Sequence, residues 1–214
     1  MRSHVVVGHA LLALLIAPLL ALSSADTAAA QTRTFRIAAG GGSRIQFVSD
    51  APLERITGVS DRLSGELTVD PSAVGGARGR VSVPVNSLRT GLDLRDEHLH
   101  GSGWLDAASH PEASFEITAI EGATALVPNQ VVRMTIRGRF SIHGVTREIS
   151  ASAQVRYVPA SDELRAQGVT GDLIRAQASF TVQLPDFNVS VNPVVRLKVS
   201  DTIRVNVTLR AISS

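Results

Sequence analysis

Apolar and polar residues alternate with a period of two along most of the chain, and this pattern limits the possible folds more than any other feature. A strand places successive side chains on opposite faces, so each alternating segment predicts a strand with one buried and one exposed face. The alternating segments are 35–38, 44–48, 63–70, 80–85, 114–119, 132–142, 148–157, 175–184 and 203–211. About eight antiparallel strands with short turns predict an all-β barrel or sandwich.

The segments between the strands carry turn signals and one weak helical pattern. His143-Gly144 predicts a turn. Pro84 predicts a strand edge or a bulge, because proline cannot donate a hydrogen bond to a ladder. A short helical segment is predicted near residues 95–108, and the polar residues 158–172 predict a long loop.

Several positions on the apolar strand faces are occupied by small residues. They are Ala119, Gly138, Ala151, Ala153, Ala176 and Ala178. A closed barrel of about eight strands holds either packed side chains or one ligand. Small inward residues favour a cavity, but large residues on the opposite wall can fill the same space. The pattern alone does not decide between a ligand cavity and a packed interior.

The first thirty residues have the parts of an export signal. A short basic start precedes an apolar run at residues 10–22, and an A-x-A cleavage site ends at Ala30. The run is shorter than the roughly 20 residues of a bilayer span, and no later segment is apolar enough to cross as a helix. We expect a signal peptide at residues 1–30, cleaved after Ala30, and one mature soluble domain at residues 31–214. The alternative is an uncleaved N-terminal anchor.

The composition excludes several classes of protein. The chain contains no cysteine, which excludes disulfides, thiolate metal sites and a cysteine nucleophile. Its 21 Lys and Arg residues nearly balance 19 Asp and Glu residues, so we expect no nucleic-acid partner. One tryptophan and one tyrosine cannot form the aromatic girdles of an outer-membrane barrel, in which Arg133, Arg137 and Arg139 would line the lumen.

Residues 90–115 interrupt the alternation with charged and histidine side chains. Six of them fall close together: Asp93, Arg95, Asp96, Glu97, His98 and His100. On an extended segment, His98 and His100 would share one side. Asp96 or His110 could then complete a metal site. An H-x-H pair alone is weak evidence, so we favour a polar network among the charged side chains and predict no metal.

The sequence offers no strong enzyme motif. It has no G-x-S-x-G elbow, and Gly101-Ser102-Gly103 is typical of flexible chain. We therefore predict a binding protein with no catalytic residue and no cofactor.

The motifs of residues 90–115 resemble those of the YceI family of exported bacterial proteins. The matching positions are Thr90-Gly91, residues 95–99, residues 104–107, Pro111 and Phe115. A second block, GRFSIHGVT at residues 138–146, is similar to the family's G-x-L-T-I-x-G-V-T. The resemblance covers nearly all of residues 34–212. Near the C-terminus the sequence departs from the family's R-x-D-F-G, since only Asp186-Phe187 remains.

The resemblance implies a lipocalin-like, extended antiparallel barrel that holds a polyisoprenoid chain, as in isoprenoid quinones. It also implies a periplasmic protein that can be a homodimer and has no established catalytic activity. A long apolar tail gains about 0.8 kcal/mol per buried CH₂, so an apolar tunnel suffices for binding. We predict binding, storage or transport of an isoprenoid lipid or quinone. The alternative is a structural or stress-related periplasmic protein whose filled barrel acts through protein partners.

The predicted pocket has an apolar wall and a polar mouth. The wall residues are Phe47, Leu67, Trp104, Phe115, Ile117, Met134, Ile136, Phe140, Phe180, Val182 and Phe187. The mouth residues are Thr90, Arg95, Asp96 and His98. For Trp104 the sequence leaves a second role open, as a plug that packs on the end of the barrel.

Overall fold

The computed structural model describes residues 31–214, so the predicted signal peptide lies outside the described residues. Within this range the chain forms ten strands and two α-helices. The strands are β1 (Arg33–Ile37), β2 (Arg44–Asp50), β3 (Arg55–Ser60), β4 (Ser64–Val69), β5 (Arg78–Pro84), β6 (Glu112–Glu121), β7 (Val131–Ile142), β8 (Val145–Val158), β9 (Leu173–Gln183) and β10 (Thr202–Ser213). The helices are α1 (Asp93–His100) and α2 (Asp162–Ala166). Short 3-10 turns lie at Val74–Gly76, Val85–Ser87, Leu184–Phe187 and Pro193–Val195.

Eight of the strands close into an antiparallel barrel. Their order is β1-β4-β5-β6-β7-β8-β9-β10, and β10 returns to β1 through the pairs Phe35 with Ser213 and Arg36 with Ile212. The predicted all-β antiparallel barrel is confirmed, and the sandwich is not formed.

The hairpin of β2 and β3 extends the sheet beyond the ring. β10 pairs with β1 near its C-terminal end, and its earlier residues 203–208 pair with β2, so both strands share one edge of β10. The outer edge of β3 meets the segment before α1 only at the bridge between Val59 and Arg89. Among the described residues, β3 therefore ends the sheet outside the closed ring.

The apolar faces of the strands point inward. One buried cluster includes Phe35 and Leu67, and a second includes Phe140 and Val205. Each fully buried side chain of this size contributes about 1.5–3 kcal/mol. The polar faces point outward, where Arg137 pairs with Glu121 and Arg139 pairs with Glu116. These two arginines do not line a lumen.

A β-bulge in β6 changes one predicted inward position. Ile117 pairs with Gly138, but the next inter-strand pair joins Ala119 to Arg137. Ala119 therefore shares the face of Arg137, and the inward prediction for it was wrong. Ile120 takes the inward position, because one extra residue in a strand reverses the alternation that follows it.

The irregular segments follow the sequence signals in part. α1 covers only the first half of the predicted helical segment, since the helix ends at His100 and turns follow. The predicted long loop after β8 contains the short helix α2. Pro84 is the last residue of β5. The pairing of β5 with β4 ends at Ser82, so Pro84 lies beyond it at an edge, as predicted. No helix within residues 31–214 has the length and apolar character needed to cross a membrane.

Candidate ligand cavity

The barrel encloses a cavity of about 470 Å³. This volume falls within the range of about 300–1,000 Å³ that is usual for ligand pockets. At one end the lining residues Val74, Ala77 and Leu126 are buried. At the other end the lining includes the exposed side chains of His98 and Lys198. The cavity therefore has one closed end and one end that reaches solvent, which we call the mouth.

Ten of the eleven predicted wall residues lie on the cavity lining. They are Phe47, Leu67, Trp104, Phe115, Ile117, Met134, Ile136, Phe140, Phe180 and Val182. Their inward position follows from the alternation within each strand, except for Trp104, which lies in the turns after α1. Their contact with a ligand remains a prediction.

Phe187 lies behind the wall rather than on it. It ends the 3-10 turn after β9 and is only 2% exposed. Its ring centroid lies 5.5 Å from that of Phe140 in an edge-to-face arrangement. Its carbonyl oxygen accepts a hydrogen bond from Nδ1 of His143 at 3.0 Å, since a carbonyl can only accept. Phe187 therefore supports Phe140 from outside the cavity.

Three phenylalanine rings form a continuous aromatic patch on the lining. The ring centroids of Phe140 and Phe180 are 5.3 Å apart, and those of Phe115 and Phe180 are 6.2 Å apart. Such spacing lies within the favourable range for aromatic pairs. The patch holds its rings in place through mutual contact and keeps that part of the wall apolar.

The small residues contribute unequally to the cavity. Ala151, Ala176 and Ala178 lie on the lining. Ala153 is buried but is not on the lining. Gly138 is covered by the ring of Phe115, so its missing side chain makes room for that ring rather than for a ligand. Of the small residues, Ala151 of β8 and Ala176 and Ala178 of β9 are therefore the ones that leave room on the lining.

The polar residues predicted at the mouth divide into two roles. Thr90, Arg95 and His98 lie on the lining. Asp96 does not, because its carboxylate is buried and accepts hydrogen bonds from the backbone N–H and the hydroxyl of Thr90, both at 2.7 Å. Asp96 thus fixes Thr90 against the first turn of α1.

An ion pair crosses the mouth. Nη2 of Arg95 in α1 lies 2.9 Å from Oε1 of Glu54 in the turn between β2 and β3, and both side chains are half-buried. The sequence predicted a network of Arg95 with its helical neighbours, and that prediction was wrong about the partner. Glu54 is distant in sequence and carries no motif, so only the fold reveals this pair.

The histidines do not gather into one site. His98 and His100 lie on α1 rather than on an extended segment, and residues two apart on a helix do not share a face. The common side that the metal alternative requires is therefore not formed. Nε2 of His100 lies 2.9 Å from the carbonyl oxygen of Leu88. His110 instead packs against His143, with ring centroids 5.2 Å apart. Within residues 31–214, no group of three or more His, Asp and Glu side chains is placed to hold a metal ion.

A second fixed carboxylate follows Trp104. Asp106 has a left-handed φ of 45°, and its carbonyl oxygen accepts the backbone N–H groups of Ser109 and His110. The hydrogen bond from the side chain of Ser109 is the largest effect that holds the pKa of the Asp106 carboxyl below its ordinary value. The carboxyl of Asp106 is therefore ionised at neutral pH, and the turn around it orients the chain that leads into β6.

Several lining residues escaped the sequence analysis. They include Ile45, Leu99, Leu105, Leu126, Val195 and Val199. Ile45 alternates with Phe47 and could have been found by the same pattern. The others lie in turns or in α1, where no period of two marks an inward side chain.

The cavity is an apolar tunnel whose charged side chains lie at one end. A hydrocarbon chain can replace water along the wall, which favours binding by about 25 cal/mol per Å² of apolar surface buried. Arg95, His98 and Lys198 offer hydrogen-bond donors at the mouth, and the hydroxyl oxygen of Thr90 offers an acceptor, because its own hydrogen is donated to Asp96. An amphipathic ligand with its tail inward satisfies both regions.

Comparison with known protein sequences finds relatives over part of the chain. The chain is 27% identical over 116 residues to a UPF0312 protein of Vibrio parahaemolyticus, covering 54% of this chain and 58% of that relative. It is 25% identical over 152 residues to Protein YceI of Salmonella newport, covering 70% of each chain. For several curated relatives the match spans only about half of their length. One example is a UPF0312 protein of Vibrio cholerae, of which 49% is covered.

Solved structures with similar barrels are more distant in sequence. A polyisoprenoid binding domain from Saccharophagus degradans, implicated in plant cell wall breakdown, superposes with a TM-score of 0.64 at 17% identity, covering 86% of this chain and 100% of that one. BcnA of Burkholderia cenocepacia superposes with a TM-score of 0.62 at 18% identity, covering 78% of this chain and 95% of that one. The family model described as the YceI-like domain matches residues 37–211. The chain therefore belongs to the YceI-like family.

Proposed function

We propose that this protein binds the apolar chain of an isoprenoid lipid or an isoprenoid quinone inside the barrel, without chemical conversion. The observation that carries the proposal is the apolar cavity of about 470 Å³ with its charged side chains at one end. The structurally similar domain from Saccharophagus degradans is a polyisoprenoid binding domain, which supports the same class of ligand.

The head group of the ligand is proposed to lie at the mouth. Arg95 and His98 belong to the charged segment of α1, and Lys198 approaches from the loop before β10. A quinone carbonyl or a phosphate can accept hydrogen bonds from these donors. The tail then extends past the aromatic patch toward Leu126 at the closed end.

The biological role in this proposal is storage or transport in the periplasm after export. A carrier needs no catalytic group, because burial of the tail supplies the binding free energy. The homodimer expected from the family resemblance remains part of the proposal and is measured by light scattering of the mature chain.

Native mass spectrometry of the protein purified from its own periplasm, followed by organic extraction, tests the proposal. The expected result is a bound mass that extracts as a prenyl lipid or quinone. A protein that is purified empty and takes up no added octaprenyl lipid would overturn it. The filled-barrel alternative, in which the protein acts through a protein partner, would then gain support. The cavity volume argues against that alternative.

A further inference from the structure

Exposed aliphatic side chains concentrate around the mouth of the cavity. Among residues 31–214, the large hydrophobic side chains that are exposed are Leu53, Leu92, Leu94, Val127, Val131, Val194 and Leu197. Five of these seven belong to three segments at the mouth, and we call those five the rim: Leu53, Leu92, Leu94, Val194 and Leu197. Val194 is 86% exposed, Leu53 68% and Leu94 66%.

The rim residues are neighbours of the cavity lining in sequence. Leu53 precedes Glu54, and Leu94 precedes Arg95. Val194 precedes Val195. In the same way Leu197 precedes the lining residue Lys198, and Leu92 lies two residues after Thr90. Each rim segment therefore sends one side chain into the mouth and a neighbouring aliphatic side chain out to solvent.

Contacts between the three segments place the rim around a single opening. The backbone N–H of Leu53 donates to the carbonyl oxygen of Leu197 at 2.8 Å. The ion pair between Glu54 and Arg95 joins the same turn to α1. The rim is therefore a collar carried by the β2–β3 turn, the start of α1 and the loop before β10.

Three arginines beside the rim form ion pairs within the chain. Nη1 of Arg55 lies 3.9 Å from Oδ2 of Asp50, and Nη2 of Arg95 lies 2.9 Å from Oε1 of Glu54. Arg196 lies 3.7 Å from Asp201. Asp93 and Lys198, which also lie beside the rim, are opposite in sign. The collar therefore carries little net charge and has no strong preference for an acidic or a basic partner.

The composition of the rim distinguishes between a protein and a bilayer as its partner. Protein interfaces are anchored by Trp, Tyr and Arg in packed pockets. The rim instead offers only leucine and valine, on separate protruding segments around the entrance of an apolar cavity. Separate aliphatic protrusions can each insert among lipid chains without a matching pocket.

We infer that the rim docks on the surface of a lipid bilayer and places the mouth against it. A lipid tail can then pass between the bilayer and the cavity without exposing its CH₂ groups to water. The purpose of the docking rests on the proposed function, but the docking itself depends only on the rim.

Vesicle flotation tests this inference with the mature protein and no added ligand. Vesicles of neutral phosphatidylcholine are used, and the test variant carries Leu94→Ser, Val194→Ser and Leu197→Ser. The control variant carries Val127→Ser and Val131→Ser, two exposed valines outside the rim. The wild type and the control are expected to float equally, and the rim variant about tenfold less. Thermal melts by circular dichroism confirm that all three chains are folded.

Other outcomes would count against the docking. Equal flotation of the wild type and the rim variant would overturn it. Flotation only with anionic vesicles, lost at high salt, would also overturn it, because that behaviour reports charge rather than aliphatic insertion. Self-association that depends on the rim, with no flotation, would assign the rim to a protein interface instead.

The docking and the proposed function can fail separately. Uptake of octaprenyl lipid from detergent solution, measured on the same proteins, reports the cavity alone. Flotation without uptake would retain the docking and reject the proposed function. Uptake without flotation would retain the function and reject the docking.

Discussion

The ring of Phe115 in β6 lies directly over Gly138 in the neighbouring strand β7. A Cβ atom at residue 138 would lie 2.6 Å from Cε1 of Phe115. Phe47 covers Gly58 in β3 in the same way, with Cδ1 3.0 Å from the position of a Cβ. In both pairs a glycine lets an aromatic ring lie flat along the wall. These two glycines therefore control how far the rings extend into the cavity.

Replacement of Gly138 by alanine is predicted to destabilise the barrel. The new Cβ would overlap the ring of Phe115 and the carbonyl oxygen of Glu116, and the backbone oxygen cannot turn away. Overpacking of this kind costs about 1–3 kcal/mol. Urea denaturation measures the loss, and the double variant Phe115→Ala with Gly138→Ala is expected to lose less stability than the sum of the two single variants. Additive losses in the double variant would contradict contact between the ring and residue 138.

Much of the barrel was predictable because alternation is a local signal. In β7, the inward set of Met134, Ile136 and Phe140 follows directly from a period of two. The signal failed at Ala119, since a bulge leaves no mark in the alternation until the register has already changed. It also missed β3, where Gly58 and Ser60 occupy inward positions that an apolar pattern does not reveal.

The mouth was less predictable because it depends on contacts between distant segments. Asp96 and Thr90 are close in sequence, and a polar network there was expected. The pairing of Arg95 with Glu54 depends instead on how the β2–β3 hairpin folds back toward α1. Lys198 likewise reaches the lining from a loop without any recognisable pattern.

A large side chain at Ala178 is predicted to block the cavity. Ala178 lies on the lining in β9, so Ala178→Phe fills the space that a lipid tail would occupy. Binding of an octaprenyl lipid should weaken roughly tenfold, since overpacking a site costs about 1–3 kcal/mol. Ser179→Phe adds the same side chain to the exposed face of the same strand and serves as the control. Equal binding by both variants would show that the tail does not pass Ala178.

Loss of the ion pair across the mouth is predicted to accelerate lipid exchange. Glu54→Gln removes the charge that faces Arg95 and so loosens the contact between the β2–β3 turn and α1. A half-buried pair contributes up to about 1 kcal/mol, which corresponds to a rate increase of roughly two- to fivefold. Stopped-flow transfer of a fluorescent prenyl lipid measures the rate. Glu121→Gln removes an exposed ion pair with Arg137 on the outer face and should leave the rate unchanged.

A buried carboxylate is predicted to stabilise the barrel away from the mouth. Asp172 is 4% exposed and accepts hydrogen bonds from the hydroxyl of Tyr157 and the backbone N–H of Ala160, both at 2.8 Å, and it pairs with Arg33. Asp172→Ala leaves these donors without an acceptor and should lower the free energy of unfolding by about 2–4 kcal/mol.

Two further variants calibrate the result at Asp172. Tyr157→Phe removes the hydroxyl that donates to Asp172 and accepts a hydrogen bond from Arg33, and it should cost about 1–2 kcal/mol. Asp162→Ala removes an exposed carboxylate that pairs with Arg165, and its cost should stay below about 0.5 kcal/mol. A loss for Asp172→Ala no greater than that for Asp162→Ala would refute the structural role of the buried network.

The carboxyl of Asp70 is predicted to make stability depend on pH in the acid range. Its Oδ1 accepts hydrogen bonds from the hydroxyl of Ser72 at 2.7 Å and from the backbone N–H of Ser72 at 2.9 Å. The hydroxyl bond is the larger of the two effects, and together they hold the pKa of Asp70 below its ordinary value of 3.8. The folded pKa is thus lower than the unfolded one. The stabilisation is complete above the unfolded pKa and is lost as the pH falls through the folded pKa.

Substitution of the hydrogen-bond donor tests this pH dependence. Ser72→Ala should raise the pKa of Asp70 toward 3.8 and make the loss of stability in acid less steep, because the folded and unfolded values then converge. Carbon-13 NMR titration of the aspartate carboxyls measures the pKa directly. Ser109→Ala provides the matched control, since it should raise the pKa of Asp106 and leave that of Asp70 unchanged. If Asp70 titrates at or above 3.8 in the wild type, or does not respond to Ser72→Ala, the hydroxyl of Ser72 does not set the pKa of this carboxyl.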